Sequence, residues 1–497
     1  MGEHPTIILG AGLAGLSAAY HTKGPYRIFE RENRVGGLCR TESHDGFTFD
    51  YAIHILYSSD PYATDLIRNK LLRDNFNEQD RSSWVSLQGV FTFYPFQANT
   101  FGLPIEVVKE CVLGLIQATY ERDPAKTKNF REWTDATFGD GIAKHFMVPF
   151  NEKCWAIDLR KMSIGWIRDR VLQPTIEEVL HGALTDQRKG FGPNAKFWYP
   201  RVGGIESLPR GFLPYLDPNR LHLGRSVVEI LPRERQVRIS DGEVVPYDRL
   251  VSTLPLPRLL ALIKGAPAQV RRIAGRLEHN TIWGVNLGIN RPKISEKHWI
   301  YYPEREFLFH RISFPMNFSA SMAPPGMSSI TAEVGMSRHK PVRVETLVED
   351  VIRDLKKTPF LQSEKDIVST SVLELTPAYI IYHLKHRQDV DELKQVLLEQ
   401  DIYSCGRFGD WEYLNMDHSI LAGKRGAEHF DRRPAAAGKG KKRAPLQVSA
   451  GKAGKRSAPV APKEGGARRA ADRSRGKAGL GRPGGKESRS GKKRVQP

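Results

Sequence analysis

Thr6-Ile7-Ile8-Leu9-Gly10-Ala11-Gly12-Leu13-Ala14-Gly15 is an apolar run followed by a G-x-G-x-x-G spacing. Read physically, a strand ends at Gly10, and Gly12 lets the backbone approach a pyrophosphate. Gly15 lets the following helix, Leu13 to Tyr20, pack closely with its N-terminus toward the phosphates. Glu30 follows where a ribose hydroxyl needs an acceptor. The bland alternative is a glycine-rich turn that holds no nucleotide; the strand before, the helix after and the acid beyond argue against it. Arg34-Val35-Gly36-Gly37, directly after the acid-bearing strand, supplies a second glycine-rich turn. A plain NAD domain has no need of it, whereas a protein that buries an extended FAD does. The expected fold is therefore α/β, with a Rossmann-like FAD-binding domain of glutathione-reductase type and Gly10, Gly12, Gly15, Glu30, Gly36 and Gly37 at the cofactor.

The 497 residues, 40% of them hydrophobic, can bury a large core, and the length predicts two or three domains. The formal net charge of +19 is unevenly spread. Asp431 to Pro497 carries 21 Lys and Arg against four acids, which leaves the body near neutral at +2. This tail has no aromatic residue and almost no large aliphatics, so it cannot bury enough apolar surface to offset ordering entropy. A disordered basic tail is expected over 431–497. It either attracts polyanions in a salt-dependent way or is a solvated appendage. Cys39, Cys111, Cys154 and Cys405 are scattered, with no C-x-x-C and no clustering of histidines, so no metal site and a reduced, cytoplasmic location are expected. No window approaches the ~18 apolar residues of a membrane span, and no integral membrane segment is predicted.

The chain returns to the nucleotide domain after a long excursion. Val227 to Ile230, Val237 to Ile239 and Arg249 to Ser252 read as short strands, and a last strand near Ile402 and a helix near Leu421 close that domain. The excursion alternates from Trp84 to Phe96, then turns helical from Pro104 to Tyr120 and again from Phe130 to Phe150. Between Thr281 and Met336 the pattern is strand-like and rich in aromatics (Trp283, Trp299, Tyr301, Tyr302, Phe307, Phe309, Phe314, Phe318), which suggests a sheet forming a substrate wall. A helix from Val344 to Lys356, a strand from Ile367 to Leu375 and a helix from Val390 to Glu399 follow. The predicted partition is a discontinuous FAD-binding domain (1–80, 200–265 and 365–430), an inserted helical domain (101–190) and an antiparallel-sheet substrate domain (81–100 with 266–364).

Gly406-Arg407-Phe408-Gly409-Asp410-Trp411-Glu412-Tyr413, with Asn415 and Asp417-His418-Ser419, is a second cofactor-facing block: a Gly-Arg turn and a polar helix start that can grip a flavin ring or ribityl chain. Taken with the N-terminal fingerprint it is specific; taken alone it is an ordinary strand-turn-helix. With Phe49-Asp50 and His54, Tyr94-Pro95-Phe96-Gln97, Pro149-Phe150-Asn151 with Trp155, Arg170, Gly192-Pro193-Asn194, and Trp299-Ile300-Tyr301 with Arg311, it makes the chain resemble the UDP-galactopyranose mutases, particularly their eukaryotic-type members, from about Gly10 to Glu428. Those belong to the wider FAD-dependent amine oxidase and protoporphyrinogen oxidase-like superfamily. The resemblance implies interconversion of UDP-galactopyranose and UDP-galactofuranose, or of a related nucleotide sugar, by attack of reduced FAD N5 on the anomeric carbon. In that reading Arg170 and Arg311 hold the diphosphate, and Tyr94, Phe96 and Gln97 hold the uracil. Tyr301, Tyr379 and Tyr413 place hydroxyls near the phosphates. Asn151, Trp155 and Asn194 face the sugar, while His54, Arg407, Asn415 and Ser419 stand at the flavin. Arg81 and Ser83 match contacts to NAD(P)H as reductant, and a homo-oligomer is compatible with the resemblance.

From the residues alone, either arginine can instead be a surface ion pair, and Tyr94, Phe96 and Trp155 can be core aromatics. Planar guanidinium groups do suit diphosphate oxygens. Three departures from the family bear on the sugar and on the activity: Ala52-Ile53 stands where the family has Gly-Gly before its flavin-side histidine, Phe318 replaces a tyrosine, and the loop between Tyr413 and Asp417 is shorter. The competing function is an FAD-dependent oxidoreductase of the amine oxidase or protoporphyrinogen oxidase type with net redox chemistry. A third is a binding protein whose flavin is structural.

Overall fold

The computed structural model describes residues 4–167, 170–188 and 195–431. Asn194 and its neighbours Gly192 and Pro193, and the basic tail beyond 431, lie outside the described residues.

Thr6–Leu9 is buried along its whole length, as a central parallel strand with cover on both faces must be. It pairs in parallel with Tyr26–Phe29 on one side and with Arg249–Ser252 on the other. Leu221–His222 and Ile402–Ser404 complete a five-stranded parallel sheet drawn from four distant stretches of chain. The helix Leu13–His21 rises from the glycine turn, and the C-terminal helix Met416–Asp431 lies against it. Ser17 Oγ donates to the Ile420 carbonyl at 2.6 Å, and a Cβ on Gly423 would meet the Ala14 oxygen at 2.0 Å. Val227–Leu231, Gln236–Ile239 and Val244–Pro246 form a separate three-stranded antiparallel sheet.

The second large sheet has seven strands in the order Ile367–Leu375, Thr281–Ile289, Ser328–Met336, Arg311–Ser313, Trp299–Tyr301, Ser83–Leu87, Val90–Phe93. Three features differ from the sequence expectation. First, Ile367–Leu375, which the boundary at 365 put with the FAD-binding domain, pairs along its length with Thr281–Ile289. Its alternating burial marks an edge strand, and periodicity carries no information about which sheet an edge joins. Second, the sheet is not wholly antiparallel, since Trp299–Tyr301 runs parallel to Ser83–Leu87. Third, most of the aromatics between Trp283 and Phe318 are not a substrate wall. Tyr302, Phe307, Phe309 and Phe314 lie just outside the strands Trp299–Tyr301 and Arg311–Ser313 and pack into a core with Leu347 and Val351 of the helix Leu347–Leu355.

The excursion contributes helices Ile105–Glu121, Phe130–Ile142, Val148–Trp155 and Ile176–Leu184. Their starts follow from capping residues: Asn129 Oδ1 accepts from Glu132 N at 3.0 Å, and Thr175 with Glu178 forms a capping box. The single helix expected over Phe130 to Phe150 is interrupted. Gly139 adopts φ +73°, where the chain passes so close to Gly114 that a Cβ would lie 1.9 Å from its oxygen, and a wider π turn occupies Ala143–Met147.

Candidate active site

A cavity of about 750 Å³ runs from the glycine turns to the seven-stranded sheet. At one end Gly10, Gly12, Leu13, Glu30, Gly36 and Gly37 line it. Gly36 N donates to Ala11 O at 2.9 Å, so the second glycine turn sits directly on the first. Here the glycines are required by space: a Cβ on Gly15 would lie 1.9 Å from the Gly10 oxygen. Gly15 therefore packs the helix onto the turn and does not itself line the cavity. Gly12, the helix cap, has no side-chain cap, so the first helical N–H groups remain available to an anion. Glu30 accepts from Ala11 N at 2.7 Å and from Glu32 N at 3.0 Å, which fixes its carboxylate at the cavity edge. These residues fit a dinucleotide cofactor.

Toward the middle stand Ala52, Ile53, His54, Ile55, Tyr57, Arg407, Asn415 and Ser419. His54 Nδ1 donates to the Ala52 carbonyl at 2.8 Å. Burial lowers its pKa to about 4 against the pull of that carbonyl, with Arg407 and Arg311 adding to the drop. At neutral pH the imidazole is therefore uncharged, with Nε2 left as an acceptor. Arg407 donates to the carbonyls of Leu414 (2.9 Å) and Ala378 (3.1 Å), and its guanidinium lies 4.4 Å from the Tyr413 ring centre. Among the described residues no carboxylate forms an ion pair with it. Asn415 turns its amide to the Tyr57 hydroxyl at 2.7 Å, and Ser419 Oγ donates to the Asn415 carbonyl at 3.0 Å.

At the far end are Trp299, Tyr301, Arg311, Tyr379 and Tyr413. Arg311 donates to Glu333 Oε2 at 2.6 Å, and Glu333 Oε1 accepts from Ile53 N at 3.2 Å. One buried carboxylate thus ties the guanidinium to the segment before His54. Tyr379 and Tyr413 stack at 5.5 Å, and burial raises the pKa values of Tyr301 and Tyr379, keeping these phenols protonated. Arg170 is exposed and is not among the residues lining the cavity; it donates to the Tyr413 and Trp166 carbonyls and lies 5.3 Å from the Tyr413 ring centre. Tyr413 therefore has a guanidinium near it from each of Arg170 and Arg407.

The remaining sequence-derived candidates form a second layer. Tyr94 meets Tyr301 at 5.0 Å between ring centres, and Arg81 lies 5.4 Å from the Tyr94 ring. Trp155 packs 5.4 Å from Tyr379, and its Nε1 donates to Asn151 Oδ1 at 3.1 Å. Phe96 is fully buried and stacks on Phe146 at 5.1 Å, which makes it a core aromatic here. Ser83 is likewise buried. Gln97 donates Nε2 to the Leu172 carbonyl at 3.0 Å and keeps Oε1 buried without a partner among the described residues. Sequence reasoning missed Glu333 and Tyr57. For Glu333 the available signal was an acid inside the apolar strand Ser328–Met336; for Tyr57 there was none, because its partner Asn415 is hundreds of residues away.

Residues 13–438 match the family model of flavin containing amine oxidoreductases. Among curated proteins, the chain is 20% identical to the coproporphyrinogen III oxidase of Bacillus subtilis (strain 168) over 80% of this chain and 91% of that one. Among solved structures, it is similar to a reduced UDP-galactopyranose mutase, with a TM-score of 0.83 and 30% identity over 86% of this chain and 94% of the other. A protoporphyrinogen oxidase homologue from Exiguobacterium sp. 255-15 shares the fold at TM-score 0.67 and 18% identity, over 87% and 99% of the two chains.

Proposed function

This chain belongs to the flavin containing amine oxidoreductase family and uses FAD, and from that premise we propose that it is a nucleotide-sugar mutase, interconverting UDP-galactopyranose with UDP-galactofuranose or acting on a related nucleotide sugar. The observation that carries this reading is the set of guanidinium and phenol groups gathered at the far end of the cavity. Arg311 lines it among Tyr301, Tyr379 and Tyr413, and the exposed Arg170 lies against Tyr413. Guanidinium groups framed by protonated phenols suit a diphosphate that leaves and returns.

Reduced FAD supplies the nucleophilic nitrogen that the chemistry needs. The chain's own groups do the rest. Arg311 and Arg170 neutralise the diphosphate as its bond to the sugar weakens, and Tyr301, Tyr379 and Tyr413 donate to its oxygens. Gln97, whose buried Oε1 has no partner among the described residues, offers an acceptor to the uracil N–H beside Tyr94. Asn151 and Trp155 back Tyr379 from the second layer. Neutral His54 and cationic Arg407 hold the flavin edge, the latter favouring an anionic reduced ring. NAD(P)H is the proposed reductant, and the tail 431–497 a salt-dependent contact to polyanions.

A net-redox oxidase is the second reading, favoured by the similarity to the coproporphyrinogen oxidase. The deciding assay adds UDP-galactofuranose to the dithionite-reduced protein and follows the products by chromatography. Formation of UDP-galactopyranose only with reduced flavin is expected. Absence of conversion with any nucleotide sugar would exclude the mutase.

A further inference from the structure

Resting on the mutase reading above, we propose that Glu333 is a positioning residue that moderates Arg311: it is the guanidinium's counter-ion while the cavity is empty, and a nucleoside diphosphate competes with it for that cation. Tyr301, Arg311, Glu333 and Gly284 are direct register partners on four neighbouring strands. They form one row on one face of the seven-stranded sheet. Gly284 leaves the row without a side chain where the segment before His54 crosses it, and a Cβ there would lie 3.7 Å from the Tyr51 carbonyl oxygen. Beside that crossing Ile53 N donates to Glu333 Oε1 at 3.2 Å, while Oε2 accepts from Arg311 at 2.6 Å. Both carboxylate oxygens are thus in use. Tyr301 and Arg311 line the cavity, whereas Glu333, 1% exposed, stands behind them and does not.

The Arg311 side chain is only 12% exposed, and a guanidinium so far from water needs a counter-ion. Among the described residues Glu333 is the carboxylate that pairs with it. His310, whose Nε2 lies 3.6 Å from the same Glu333 oxygen, adds no second cation, because burial holds its pKa well below 6.5. The pair is therefore electrically neutral, and the neighbouring Tyr301 and Tyr379 are uncharged phenols. Arg311 Nε is buried without a partner among the described residues, so the guanidinium keeps a donor for a ligand.

An anion at this end thus meets a cation whose charge is already shared, and it binds less tightly than it would to a lone guanidinium. That suits a group that has to leave and return. A cation holding the diphosphate equally tightly at every stage would lower KM without speeding turnover. The same carboxylate holds Ile53 N, and the adjoining Ala52 carbonyl accepts from His54 Nδ1 at 2.8 Å. One buried group therefore fixes the flavin-side segment and sets the strength of the anion site.

Glu333→Gln removes the charge and almost no volume. The test titrates the FAD-bound, dithionite-reduced full chain with UDP and with uridine, and measures kcat and KM on the nucleotide sugar that the wild type turns over. Glu333→Gln is expected to bind UDP about tenfold tighter than wild type, the low end of the couplings between close charge pairs, with KM and kcat both lowered. Uridine, which has no phosphate, is expected to bind as it does to wild type. UDP is also expected to raise the Tm of this variant more than that of wild type, because the diphosphate replaces the missing counter-ion. Glu333→Asp keeps the charge and is expected to return UDP affinity toward the wild-type value. Loss of a merely structural residue would instead weaken UDP and uridine alike. Equal or weaker UDP binding by Glu333→Gln, or a loss of flavin that UDP does not reverse, would overturn this proposal and leave the mutase standing on the wild-type turnover. Absence of both UDP binding and turnover in the wild type would remove the mutase reading and this one with it.

Discussion

Arg311 is held by Glu333 yet still lines the cavity, so its removal takes a cation from the proposed diphosphate end without touching the glycine cradle. Arg311→Ala is expected to lower turnover by about a hundredfold or more, on the scale of losing one preorganised charge-stabilising group, while the visible flavin spectrum persists. Loss of flavin would assign Arg311 to the cofactor. A second residue-scale consequence concerns pH. His54, His298 and His386 are lowered from 6.5 to about 4 by burial, and His310 further still. Between pH 6.5 and 4 the unfolded chain binds protons that the folded chain refuses, so these groups make stability fall as pH falls through that window and leave it unchanged above 6.5. Asp50, raised from 3.8 to about 6, acts oppositely between those values because there the folded chain holds the extra proton. Four imidazoles outweigh one carboxyl. Melting curves are expected to show Tm falling from pH 7 to about 4.5, and a flat or rising Tm would contradict the burial of these rings.

At the scale of elements, the helical excursion stands on a close crossing. Gly139, at φ +73°, and Gly141 press against Gly114 and Glu110 of the preceding helix, leaving no room for a Cβ. This contact anchors the run that continues through Ala143–Met147 into Val148–Trp155, which carries Asn151 and Trp155. Gly139→Ala combines a strained φ with overpacking and is expected to cost about 1–3 kcal/mol, read as a Tm loss of a few degrees. Gly165→Ala, where a Cβ meets nothing within 4 Å, serves as the control. Equal Tm values for the two variants would show that the crossing can relax.

Across the whole molecule, the parts legible in sequence were those written in local spacing. The strand Thr6–Leu9 and the return strands near Arg249 and Ile402 join one parallel sheet, and the glycine turn and Glu30 line the cavity. Three things were not legible. Which sheet Ile367–Leu375 joins is decided by pairing across the chain, and which aromatics face the cavity depends on strand phase, so Tyr301 lines it while Tyr302 is core. The Glu333 link between Arg311 and Ile53 joins residues 22 and 280 positions apart. In the proposed mutase the flavin enables an exchange that leaves the substrate's oxidation state unchanged. This exchange is tested most directly by incubating the reduced protein anaerobically with excess nucleotide sugar while recording flavin absorbance and product together. Many turnovers of pyranose and furanose forms are expected with the flavin reduced throughout; flavin reoxidation in step with product would rule the exchange out.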